Sequence, residues 1–107
     1  LENPATSRVW LTDALQTWLK RGAKLQHVSY CMYQQPWRKA TTFMTWRLPR
    51  LPFQVCGGPF HCCERTGLPH VRLTGRDPQG RWRTRIAQPY PAELCEIVAH
   101  GIMQCAQ

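Results

Sequence analysis

Acidic side chains are scarce: six Asp and Glu stand against fourteen Lys and Arg in 107 residues, a net charge of +8 and a pI near 9.7. The shortage points to anionic partners such as nucleic acid, an acidic protein surface or an anionic lipid surface. No apolar run approaches the roughly 18 residues of a membrane span, and the N-terminus has neither the basic nor the apolar part of a secretory signal. A start at Leu1 without Met is expected of a processed product or a piece of a longer protein. The chain also lacks repeats, low-complexity tracts and a clean CxxC pair. What is present is a 43% hydrophobic content with five Trp, the composition of one folded domain with a modest core.

Residues 28–46 organise the rest. Tyr30, Met32, Phe43, Met44 and Trp46 favour strands, and Pro36 forbids one unbroken central strand. Strands over 24–33 and 41–47 are therefore expected around a loop at 34–39. Gln34, Gln35, Trp37, Arg38 and Lys39 become candidate functional residues, with a plain solvated turn as the alternative. Upstream, residues 1–5 read as a polar entry. Thr6 or Ser7 caps a helix over 7–21 whose Trp10, Leu11, Ala14, Leu15, Trp18 and Leu19 pack a core, and Gly22 closes it. Prolines in 48–53 mark an extended linker. The single domain, 1–107, thus divides into 1–47, a Pro-rich linker with a Cys/His loop at 48–70, and 71–107.

Soft ligands crowd the middle part. Cys56, His61, one of Cys62 or Cys63, and His70 surround two glycines and a proline, and thiolates with imidazoles in that density suit a tetrahedral zinc. Adjacent cysteines rarely both reach one metal, so zinc, unligated thiols and a disulfide all stay open. Cys31 falls in an expected strand and Cys95 and Cys105 on an expected helix. That scatter suits intracellular use better than a secreted disulfide framework.

Residues 70–86 carry Asp77-Pro78-Gln79-Gly80 between two strand-like runs and predict a β-hairpin. Period-two alternation would place Arg81, Arg83 and Arg85 on one face, joined by Arg72 or Arg76, as a guanidinium ladder for phosphates or carboxylates. A charged edge that resists aggregation is the simpler alternative. Pro91 and Glu93 then open a helix to about Gln104, with Leu94, Ile97, Val98, Ile102 and Met103 on one face.

The order Glu2-Asn3-Pro4, helix, strand, Gln34-Gln35-Pro36-Trp37-Arg38-Lys39 loop, strand, then Gln88-Pro89-Tyr90-Pro91 opening a helix resembles the back half of DNA cytosine-5 methyltransferases, particularly the divergent forms of phages and mobile elements. The resemblance implies a partial Rossmann-like α/β sheet, with Glu2 and Asn3 as vestigial counterparts of the pair beside the target cytosine. The Gly-rich cofactor turn and the Pro-Cys nucleophile of that family are missing. The resemblance therefore implies no methylation, and no S-adenosylmethionine binding, by this chain alone.

The expected function is accordingly a non-catalytic basic module that engages nucleic acid or another polyanion through Arg38, Lys39, Arg72, Arg76, Arg81, Arg83 and Arg85. A small accessory subunit of a large protein assembly is the second reading. A fragment of an active methyltransferase is the third.

Overall fold

The computed structural model describes residues 1–59 and 62–105. Its frame is a three-stranded sheet in the order β1-β3-β2, made of β1 (Glu2–Pro4), β2 (Lys24–Ser29) and β3 (Ala40–Thr45). Thr41, Thr42, Phe43 and Met44 give the central strand the β-branched and aromatic bulk that a pleated surface accommodates. Its register runs from Lys24↔Thr45 to Ser29↔Ala40 on one side, and from Glu2↔Phe43 to Pro4↔Thr41 on the other.

The expected polar entry is therefore an edge strand. Pro4, which cannot donate to a ladder, is tolerated at its end. The α/β character holds, but every strand pairing is antiparallel and a Rossmann-like relationship is not shown.

The helix expected over 7–21 is broken. Ser7 caps a 3-10 turn (Arg8–Leu11) through the Val9 N–H at 3.2 Å, Thr12 is extended, and α1 spans Asp13–Lys20. The break rotates the two halves relative to one another. Trp10 and Leu15 reach a core with Ala23 and Met44, whereas Leu11 and Trp18 remain exposed. Gly22, at φ +101°, supplies the expected left-handed closure.

A second core gathers Val28, Tyr30 and Tyr33 against Leu94 of α3 (Ala92–Cys105). Along α3, Ile97 and Val98 are half-buried but Ile102 and Met103 face solvent, so the apolar stripe packs only over its first turns. The extended linker is held to β2 by Gln26, whose Oε1 accepts from the Leu51 N–H at 2.6 Å, and by Lys24, which donates to the Leu48 carbonyl at 2.8 Å.

The hairpin expected over 70–86 does not form. The turn at 77–80 does, because Asp77 Oδ1 accepts from the Gln79 and Arg81 N–H groups and Gly80 adopts φ +80°. Beyond one isolated bridge between Arg76 and Trp82 the chain enters a short helix, α2 (Arg83–Ile86). The opposite run pairs elsewhere: the Val71 N–H donates to the Pro36 carbonyl at 2.9 Å. Among the described residues no helix is long and apolar enough to cross a membrane.

Candidate metal centre

Cys31, Cys56, Cys63 and His70 converge with their ligand atoms all within 4.8 Å of one another. Two parts of the chain deliver them, the end of β2 and the 54–70 segment. β2 ends in a 3-10 turn (Tyr30–Tyr33) that carries Cys31, and Gln34, left-handed at φ +67°, terminates it. Cys56 is seated when its N–H donates to Ser29 Oγ at 2.9 Å, while the Ser29 N–H donates to the Gln54 carbonyl at 3.0 Å. Cys63 opens a turn closed by the Gly67 N–H on its carbonyl at 2.8 Å. Gly58 permits this loop to fold back, since a Cβ there would lie 2.6 Å from the Cys62 carbonyl oxygen. His70 follows a bridge between Cys62 and Pro69 and places Nε2 3.8 Å from Cys56 Sγ.

The spacing fits a tetrahedral ion. Zn–S and Zn–N bonds of about 2.3 and 2.05 Å put neighbouring ligand atoms about 3.5–3.8 Å apart. The Cys56–His70 pair is already at that separation, and the widest pair needs to close by roughly 1 Å. The Cys₃His group could therefore hold a metal such as zinc.

Burial, joined by the neighbouring thiols of Cys56 and Cys63, pushes the Cys31 thiol up to about 12. Burial also acts to raise Cys63, but backbone donors at Thr66 and Arg65 outweigh it, with help from the Cys31 thiol, and bring Cys63 down to about 6. A cation bound by the group would deprotonate its coordinated thiols outright. Three thiolates, a neutral imidazole and Zn²⁺ leave one negative charge. Two guanidinium groups lie close by: Arg65 Nε donates to the Cys31 carbonyl at 2.7 Å and Arg38 to the Cys56 carbonyl at 2.9 Å.

Of the expected ligands, Cys56, Cys63 and His70 meet. Cys62 is left out of the group because its chain neighbour Cys63 takes the inward position, and His61 lies outside the described residues. Cys31 was not expected. The four consecutive apolar residues 30–33 break strand alternation, and that was the available sign that the strand stops at Ser29. None of the six cysteines is disulfide-bonded.

The expected cationic residues separate. Arg38 and Lys39 end a loop whose two limits, Gln34 and Lys39, both have positive φ. Lys39 Nζ donates to the Ala87 carbonyl at 2.5 Å and sits 4.9 Å from the Tyr30 ring centre. Burial lowers its pKa, partly opposed by the Glu2 charge.

The ladder of Arg81, Arg83 and Arg85 is not built. Arg81 is paired with Asp77 at 2.8 Å, and Arg83 donates to the Thr74 carbonyl at 2.9 Å from a helix, where alternate residues do not share a face. Arg76 stacks over Trp82 at 4.3 Å and donates to the Gly80 carbonyl. Arg72 is exposed beside the loop at 36–39. Glu2 accepts from the Tyr90 hydroxyl at 3.2 Å, and Asn3 is paired with Thr42 within the sheet.

No family model, curated protein or solved structure matches the chain.

Proposed function

We propose that this chain is a zinc-ordered, non-catalytic basic module that engages nucleic acid or a similar polyanion. One observation carries the metal part. Among the described residues, the buried cluster that joins the 54–70 segment to the end of β2 consists of Cys31, Cys56 and Cys63, with Met32 alone packed against it. Such a cluster offers little apolar area to hold a glycine-rich loop in place. A structural zinc, with apparent binding free energy on the order of 10 kcal/mol, supplies as much as the whole stability of a typical small domain, about 5–15 kcal/mol. The polyanion part is supported by the net charge of +8. Descent from a methyltransferase-like protein belongs to the proposal through the order of its short motifs alone.

Native mass spectrometry at moderate salt tests the metal reading. One zinc per chain is expected, retained in Cys62→Ser and lost in Cys31→Ser, with a lower Tm after chelation. A chain that purifies without metal and is indifferent to chelator and to added zinc would refute it.

The accessory-subunit reading draws on one surface feature. Trp18 and Trp46 form an edge-to-face pair 5.6 Å apart, both well exposed, with Arg21 over Trp18. The same spectra decide it: a stable protein complex supports that reading, and a lone chain counts against it.

A further inference from the structure

The metal loop forms one wall of a cleft. Val71, next to the ligand His70, is bonded to Pro36, and the Tyr30 N–H donates to the Arg38 carbonyl at 2.7 Å, so segments 36–40 and 69–74 face each other from anchored positions. Between them lies a cavity of about 640 Å³, lined in particular by Trp37, Arg38, Lys39, Val71, Arg72 and Leu73. That volume is within the usual range for small-ligand sites, about 300–1,000 Å³.

Its chemistry is one-sided. Every charged residue of the lining is cationic, whereas the other prominent cavity, between the linker and α3, includes Glu93 and Glu96. Arg38 and Lys39 each spend a donor on a backbone carbonyl and keep others, and Arg72 has no hydrogen bond or ion pair among the described residues. The apolar part of the wall comes from Trp37, Pro69, Val71 and Leu73.

A planar apolar body attached to an anion meets both conditions. We infer that the cleft holds a nucleotide unit of a single-stranded nucleic acid, with the base against Trp37 and Val71 and the phosphate at Arg72, flanked by Arg38 and Lys39. The inference rests on the basic-module reading and assigns the partner class and the site. Single strands suit it better than duplex, because a stacked and paired base cannot enter a cleft, whereas a splayed one offers its face to an aromatic wall.

The test is titration of the zinc-loaded full chain with fluorescein-labelled oligo(dT), with linear polyphosphate of matched charge and dTMP as competitors. Trp37→Leu is expected to weaken oligo(dT) binding about tenfold and to leave polyphosphate binding unchanged. Arg72→Ala is expected to reduce the log–log salt slope by about one. Arg50→Ala, outside the cleft, is the control and should change affinity less than twofold. Retained zinc shows that a variant is folded; if Trp37→Leu fails this check, Arg72→Ala carries the test.

Equal binding of oligo(dT) and polyphosphate, with both cleft variants behaving as wild type, overturns the cleft and leaves the basic module standing. Failure of both probes to bind overturns both. Displacement by dTMP at equal nucleotide concentration overturns the assignment to a strand in favour of a free nucleotide.

Discussion

Single residues do the local work here, and Asp77 shows how. Its carboxylate accepts from the Arg81 and Gln79 N–H groups and pairs with the Arg81 guanidinium, so the Arg81 backbone bond, then the side-chain contacts, hold it below its ordinary 3.8 despite some opposing burial. A depressed carboxyl contributes stability that is present above its unfolded value and lost as pH falls through the folded one. Side-chain NMR titration should therefore give a midpoint for Asp77 below 3.8, moving upward in Arg81→Ala. An unshifted midpoint in the wild type would mean that the turn is not closed as described. The Asp-Pro-Gln-Gly motif was legible in sequence because its bonds are local. The strands expected on either side were not local, and they failed.

At the scale of elements, the outcome depends on which surfaces meet. The period of α3 was readable, but how far along it the packing would run was not, since that depends on where the linker lies. Gly101 is buried against Leu51, and a Cβ there would overlap Leu51 Cδ2. Gly101→Leu should therefore push the linker off the helix and destabilise the fold by about 1–3 kcal/mol, read as a shift of the urea midpoint. A midpoint at or above wild type would show that the linker does not pack there. The break at Thr12 has a similar origin. Trp10 donates from Nε1 to the Pro4 carbonyl at 2.9 Å, an anchor to β1 that helical periodicity does not reveal.

For the whole molecule, the cores matter most. Among the described residues two small apolar clusters flank the sheet and a third consists of thiols, so on the proposed zinc site the loop at 54–70 would depend on the metal more than the sheet does. Hydrogen exchange with and without chelator should separate the two parts. Protection at the Cys56 and Val71 amides is expected to fall first on zinc removal, while amides of β2 and β3 outlast them. Simultaneous loss everywhere would make the chain a single unit folded by its metal.

The sequence by itself determined the cationic balance, the tight turn, the left-handed glycine after α1, the C-terminal helix and the loop between two strands. Each follows from neighbours in the chain or from composition. It also marked Cys56, Cys63 and His70 as ligand candidates, because they stand close together in one segment. Only the tertiary structure could bring in Cys31, 25 positions before Cys56, exclude Cys62, and break up an expected arginine ladder, with Arg81 and Arg83 each paired locally. The physical reason is that ligand geometry and strand pairing are set by where separate segments dock. The hydrogen bonds from the Cys56 N–H to Ser29 Oγ and from the Val71 N–H to the Pro36 carbonyl decide that docking across stretches of chain that carry no local periodicity.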